Sequence, residues 1–221
     1  MVLNGTGSIN NSQCTIDGTR SAASSAGNVV TLTLGLSFAP SFAGNKVIYL
    51  AARDTSQIGT GWQTMGVVGV PPAPTTYPSP VRMTPSSGAT ANTTLSFTFQ
   101  DASAGNNFQT VWALMNTALD GRAACYVAYY RPANLIYLVP DNGDGTQAYV
   151  MALTGTNSVS NSQCTVSAQG SSANVSGAQL TLNLNLTFKH AFQGPKAEWM
   201  AAQTLDAQTS PWQALGAWMV P

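Results

Sequence analysis

Residues 181–188 read TLNLNLTF, and residues 31–38 read TLTLGLSF. In both stretches leucine or phenylalanine occupies every second position, and small residues fill the positions between. This period of two is typical of a β-strand with one buried face. The same shift of 150 aligns residues 3–71 with 153–221 without a gap, at about 27 identities in 69 positions. The chain therefore contains a duplicated β segment.

The duplication also predicts how the chain is divided. Residues 72–150 have no second copy, so we expect one full module over 81–221, preceded at 1–71 by the second half of another module. Between them, residues 72–80 belong to a proline-rich stretch that favours extended polyproline geometry and is interpreted as a stiff linker.

Short strand patterns separated by turn signals fill the full module, which predicts an all-β, antiparallel sandwich. A β-barrel is the alternative, and VWALMNTAL (111–119) could also form a helical turn or two. The predicted strands are 81–84, 93–101, 109–117, 124–130, 135–139, 148–155, 162–168, 179–188, 197–204 and 212–220.

The composition limits the possible partners. Hydrophobic residues make up 44% of the chain, enough for a packed core, whereas charged residues make up only 7% and their charges cancel. Without a basic patch we expect no nucleic-acid partner. The chain contains no run of about 18 apolar residues and no recognisable signal peptide, so we expect no membrane insertion, and any secretion signal would lie outside this sequence.

Three cysteines predict one pair and one orphan. The pentapeptide NSQCT surrounds Cys14 at 11–15 and Cys164 at 161–165. Cys125 and Cys164 lie on different predicted strands, and a bridge between them would close a loop of about 40 residues. Three buried thiols are the alternative. The repeat favours the bridge, because a counterpart of Cys125 for the first copy would precede residue 1. Cys14 is then unpaired or bonded to another molecule.

We find no convincing catalytic constellation in the sequence. His190 is the single histidine, its counterpart in the first copy is Pro40, and no GxSxG elbow is present. Acidic residues of the duplicated region do not recur between copies; Glu198, for example, corresponds to Ile48. A hydrolase site would therefore have to lie in 72–150, and we expect no catalytic residues.

Two patterns in that region suggest ligands. DNGDGT (141–146) places Asp141 and Asp144 near glycines, which resembles a calcium loop but lacks its later glutamate; a hairpin turn is the favoured interpretation, and we expect no cofactor. An aromatic surface that stacks on sugar rings is the second, although aromatic residues of a sandwich more often belong to its core. The residues of this candidate binding surface are Trp112, Tyr129, Tyr130 and Tyr137.

The order of TLSFTFQDASAG, LMNTALDGRAACYVAYYRPANLIYLVPD, NSQCT, LTLNLNLTF and WQALGAWMVP resembles the tandem immunoglobulin-like modules of large secreted bacterial proteins. The resemblance covers 81–221 and, as a half module, 3–71. It implies an extracellular or cell-surface β-sandwich used as a spacer, scaffold or adhesive element, and it implies no catalytic residues. An array that begins halfway through a module departs from the pattern.

We therefore expect a non-enzymatic extracellular structural module. Carbohydrate binding or adhesion is the alternative, and an unrecognised hydrolase comes third. The partners expected are other copies of the chain, neighbouring modules of a larger chain, or a polysaccharide. Because the half module has no first half to cover its apolar face, we expect head-to-tail self-association into rings or filaments. An independent small sandwich in a monomeric chain is the alternative. The apolar face comprises Leu32, Leu34, Leu36 and Phe38.

Overall fold

The computed structural model describes residue 3 and residues 5–72, 77–102 and 104–221. In this part the chain is all β, as predicted, with short 3₁₀ turns between strands. The strands are β1 (Ser8–Asn10), β2 (Cys14–Ala26), β3 (Val29–Phe38), β4 (Gly44–Leu50), β5 (Gln63–Val70), β6 (Ser79–Thr84), β7 (Ser87–Gly88), β8 (Asn92–Gln100), β9 (Phe108–Asn116), β10 (Cys125–Tyr130), β11 (Leu135–Leu138), β12 (Tyr149–Ala152), β13 (Ser158–Ser160), β14 (Cys164–Ser176), β15 (Gln179–Phe188), β16 (Gly194–Thr204) and β17 (Gln213–Val220). The 3₁₀ turns are Pro40–Phe42, Gly105–Asn107, Arg131–Ala133, Gly145–Gln147 and His190–Phe192.

The contacts divide the chain into two compact units. The first unit comprises Met1–Gly44 with Gly69–Ala73, and the second comprises Asn45–Val68 with Pro74–Pro221. This division follows contacts, whereas the sequence division at 1–71, 72–80 and 81–221 follows the repeat. Of the predicted linker, residues 73–76 lie outside the described residues.

The second unit contains a β-sandwich. One sheet has the strand order β12-β11-β10-β9-β16-β17-β7, and the other has the order β13-β14-β15-β8-β6. Neighbouring strands are antiparallel except β17 and β7, which pair in parallel over two residues. The alternating apolar residues predicted from the sequence meet between the sheets: Leu182 and Leu184 of β15 and Phe97 of β8 are at most 1% exposed.

The first unit contains a three-stranded antiparallel sheet with the order β1-β2-β3. Its strands correspond, under the shift of 150, to β13, β14 and β15. Even an irregularity recurs, because the β2–β3 ladder shifts register between Asp17 and Ala22, as the β14–β15 ladder does between Ser167 and Ser172.

Strands β4 and β5 form a separate two-stranded sheet, most of which belongs to the second unit. Val47 and Val67 pack against a second apolar cluster on the outer side of the seven-stranded sheet. The buried members of that cluster are Leu114, Ala124, Ala197, Trp199 and Ala214. The Asn45 side-chain amide donates to the Gln213 side-chain carbonyl at 2.8 Å. The first copy of the repeat thus supplies strands to both units.

No helix in the described ranges is long and apolar enough to cross a membrane.

Candidate functional site

One face of β3 exposes a row of large apolar side chains. Every second residue from Val30 to Phe38 points to this face, and the five side chains are 37–76% exposed. They are Val30, Leu32, Leu34, Leu36 and Phe38. Full burial of one such side chain contributes about 1.5–3 kcal/mol, so covering five half-exposed ones would contribute roughly 4–7 kcal/mol. Exposed apolar surface of this kind commonly marks an interaction site.

The same row is buried in the second copy. The counterparts on β15 are only 0–3% exposed; they are Leu180, Leu182, Leu184, Leu186 and Phe188. Leu184 and Leu186 belong to the same packed core as Ala113, Met115, Cys125 and Val127 of the facing sheet. Segment 79–150, which has no counterpart in the first copy, therefore supplies side chains that cover this face.

The edge of β3 differs from that of β15 in the same way. In the second unit, β8 pairs with β15 at nine positions, from Gln179 opposite Gln100 to Thr187 opposite Asn92. In the first unit, β3 is the last strand of its sheet. No described strand pairs with its outer edge, and an open strand edge readily accepts another strand.

The cysteines follow this pattern. Cys125 of β10 and Cys164 of β14 form a disulfide, as predicted, and it links the two sheets of the sandwich. Cys14, the counterpart of Cys164, is a free, half-buried thiol. A stable structural disulfide indicates folding in a non-reducing environment.

Asn161 holds the bonded cysteine in place. Its side-chain amide donates to the Ala124 carbonyl at 2.9 Å and to the Val139 carbonyl at 3.0 Å. Its side-chain oxygen accepts from the backbone N–H groups of Gln163 and Cys164, each at 2.9 Å. The loop that begins the NSQCT motif is thus tied to the strand that contains Cys125.

Asn11 keeps only the local part of this arrangement. Its side-chain oxygen accepts from the backbone N–H groups of Gln13 at 2.8 Å and Cys14 at 2.9 Å, so the turn has the same form. The Asn11 side chain is exposed, whereas Asn161 is 5% exposed. The turn therefore has the same form in both copies. Among the described residues, only the second copy uses the asparagine amide to bond a neighbouring segment.

Tyr129 does not belong to an aromatic binding surface, and this part of the prediction is wrong. Tyr129 lies in the core on the same side of β10 as Cys125, and its hydroxyl donates to the Asn134 side chain at 3.0 Å. Burial raises the pKa of this phenol. Side chains alternate across a strand, so Tyr129 and its neighbour Tyr130 point to opposite faces.

The other predicted aromatic residues, Trp112, Tyr130 and Tyr137, are half-buried. Trp112 packs against Trp212 with ring centroids 6.4 Å apart and an angle of 47° between the ring planes. Tyr126 meets Trp212 edge-on at 5.9 Å. These tilted rings pack against each other, a common arrangement of aromatic pairs, and do not form a flat platform.

The DNGDGT segment forms a turn. The Asp141 carboxylate accepts from the backbone N–H of Ser162 at 3.2 and 3.3 Å, which ties this turn to the NSQCT loop. Asp144 caps the 3₁₀ turn by accepting from the Thr146 backbone N–H, and this hydrogen bond holds the Asp144 pKa below its usual value. Among the described residues, no group of three or more His, Cys, Asp or Glu side chains could hold a metal ion.

Glu198 and His190 have contrasting environments. Glu198 is fully buried between the two sheets, and neither carboxyl oxygen has a hydrogen-bond partner among the described residues. Burial raises its pKa well above the ordinary value, and the nearby Leu114 backbone, outside hydrogen-bond geometry, opposes this by a smaller amount. His190 is exposed on a 3₁₀ turn.

A groove of about 390 Å³ also lies in the second unit, between β5 and the edge formed by β17 and β7. Residues 64–67, 86–88, 195 and 217–219 line it. These described lining residues include no carboxylate, imidazole or thiol, so they provide no general acid, general base or thiol nucleophile.

Sequence reasoning found the apolar face and the disulfide but missed Asn161. Its signal was present, because asparagine precedes both cysteines by three residues. The sequence could not indicate that its amide reaches the distant carbonyls of Ala124 and Val139. The contacts of Trp212 with Trp112 and Tyr126 were also beyond sequence reasoning, because they join segments about 100 residues apart.

Comparison of the chain with protein-family models, with curated proteins and with solved structures finds no match.

Proposed function

We propose that this chain is a non-enzymatic, extracellular structural module that joins other modules through the β1–β3 sheet. One observation carries the proposal: the alternating apolar row is exposed on β3 and buried on β15, although the two strands are copies of each other. A sequence that retains five large apolar side chains at an exposed face supports a surface used in assembly.

Other features support a structural role. The disulfide between the sheets is suited to an oxidising, extracellular setting, where small domains depend on such bonds. Several carboxylates are occupied by turns or ion pairs; Asp120, for example, pairs with Arg122 at 2.6 Å, which lowers the Asp120 pKa to about 2. The resemblance to tandem immunoglobulin-like modules agrees with this role.

Self-association tests the proposal. We expect the average mass of the full chain, measured by light scattering, to exceed that of the monomer at tens of micromolar protein and to rise with concentration. Leu34→Asp should shift the chain towards monomer, because a charge would then have to enter the apolar contact. The matched control is Thr33→Asp, on the opposite face of the same strand, which should associate like the wild type. A wild-type chain that remains strictly monomeric over this range would contradict the proposal.

A further inference from the structure

We propose that the β1–β3 sheet accepts a polypeptide segment of the type of residues 79–152, which covers its apolar face and forms a disulfide with Cys14. This inference rests on the proposed function and deepens it by naming the partner. The partner segment has an alternating Leu-Phe-Phe strand like β8 and a free cysteine at the position of Cys125.

The second copy shows which contacts the open β3 edge and the exposed apolar row of the first copy lack. The β15 edge pairs with β8, whose Leu95, Phe97 and Phe99 continue the buried apolar row and are at most 1% exposed. The same type of strand would fit the free edge of β3, since β3 retains the alternation and length of β15. The facing strands of the segment would then cover the row from Val30 to Phe38.

Asn11 adds an independent, polar requirement. Asn161 uses its side-chain amide to bond two backbone carbonyls, those of Ala124 and Val139, both inside segment 79–152. Asn11 forms the same turn, but its side-chain amide is exposed to solvent. A partner of this type would present two carbonyls to Asn11 and bring its own cysteine next to Cys14.

The disulfide would form by thiol–disulfide exchange with a small-molecule disulfide such as oxidised glutathione. The Cys14 thiolate attacks one sulfur of the oxidant and releases a first thiolate. The partner's cysteine thiolate then attacks the Cys14 sulfur of the mixed disulfide and releases a second. Two protein thiols are oxidised, one glutathione disulfide is reduced to two thiols, and the two protons lost by the protein thiols protonate the departing thiolates.

A second copy of this chain can contact the same apolar face, but it is a poor donor of the segment. In every molecule of this chain, the segment 79–152 is already packed against residues 153–221, and its Cys125 is bonded to Cys164. Transfer to a neighbouring β1–β3 sheet would break one set of contacts to form an equivalent set. The structure therefore favours a segment that has no second half of its own.

The experiment adds a probe to the folded full chain. A peptide comprising residues 77–152 of this sequence, with Cys125 as its one cysteine, is diluted from denaturant into the native protein in a glutathione redox buffer. We expect a one-to-one complex by size-exclusion chromatography and, in non-reducing peptide maps, a bond between probe Cys125 and Cys14. Cys14→Ser should lose the bond but keep the complex. Leu34→Asp should lose both, and Thr33→Asp neither.

A second probe keeps the result decisive if the long peptide precipitates. A fluorescent peptide with the sequence of β8, residues 92–100, should bind the full chain by anisotropy, at least tenfold more weakly to Leu34→Asp than to Thr33→Asp. The inference is overturned if neither probe binds, if the long probe crosslinks to Cys164, or if a Cys14–Cys14 dimer forms and excludes both probes. Light scattering separates the two proposals: concentration-dependent association without probe binding removes only this inference.

Discussion

Glu198 is the least expected residue of the sandwich core. It lies on β16 beside Met83 and Gly216, and its counterpart in the first copy is Ile48. An ionised carboxylate at this depth is unfavourable without a partner, so the raised pKa means that the native state keeps its proton longer than the unfolded state does.

The pH dependence of stability follows from this difference. Between the unfolded pKa, near 4.5, and the higher folded pKa, the native state binds more protons than the unfolded state. Below pH 4.5, Glu198 is protonated in both states and destabilises the native state least. As the pH rises from 4.5 towards the folded pKa, the free energy of unfolding falls. We expect Glu198→Gln to remove this loss, so that its advantage in thermal midpoint over the wild type is larger at pH 8 than at pH 5.

The control is Asp54→Asn, which removes a carboxylate from the surface and not from the core. Parallel profiles for the wild type and Glu198→Gln would show that Glu198 does not titrate differently in the two states.

Among the loops, NSQCT illustrates how one sequence serves two environments. In both copies the asparagine forms the same turn, so the motif folds locally. Only in the second copy does the amide also bond two carbonyls of the neighbouring segment, which fixes the start of β14.

This difference predicts unequal effects of the same substitution. Asn161→Ala should lower the free energy of unfolding by about 2–4 kcal/mol, because it removes several hydrogen bonds and leaves two carbonyls without their partner. Asn11→Ala should cost less than about 1 kcal/mol, since it removes only the exposed turn. Urea unfolding followed by tryptophan fluorescence measures the loss for Asn161→Ala, because the tryptophans lie in the second unit. For Asn11→Ala, in the first unit, the loss is measured by far-ultraviolet circular dichroism, which reports the β-sheets of both units. Equal losses for the two variants would contradict the assignment of Asn161 as the link between strands.

Strands were predictable where their side chains alternate between a core and a polar face. The prediction 179–188 matches β15 in full, because every second residue is apolar. By contrast, 162–168 covers only the start of β14, which continues to Ser176. Residues beyond Gly170 are mostly exposed and polar, so backbone pairing with β15 extends the strand without an apolar pattern. The packing of β4 and β5 was likewise unpredictable, because these strands have the same pattern as β16 and β17 but a different location.

At the scale of the whole molecule, the disulfide joins the two sheets of the sandwich. Closing a loop of 39 residues should contribute about 4 kcal/mol through the entropy of the unfolded chain. We therefore expect reduction, or Cys125→Ser, to lower the free energy of unfolding by roughly that amount. The reporter is again tryptophan fluorescence, because all five tryptophans lie in the second unit.

Cys14→Ser serves as the control, since it removes a thiol without removing the inter-sheet bond, and its unfolding midpoint should match that of the wild type. A midpoint that is insensitive to reductant would mean that the core alone holds the sheets together.

The repeat made the candidate surface partly predictable. Leu32, Leu34, Leu36 and Phe38 were identified because their copies lie in a complete module, and Cys14 because its copy has a partner. The open edge of β3 and the amide of Asn11 required the structure, because strand order and side-chain hydrogen bonds between distant segments leave no local pattern in the sequence.

The inter-sheet disulfide also determines how the protein would respond to being pulled. If tension were applied at the two ends of the chain, the bond between Cys125 and Cys164 would keep the 39-residue loop from extending. At about 3.4 Å per residue, roughly 130 Å of potential length stays hidden until the bond is reduced. The first copy, with Cys14 unbonded, has no such restraint and would lengthen first. A partner that bonded Cys14 would not change this, because a disulfide to a separate chain closes no loop within the first copy.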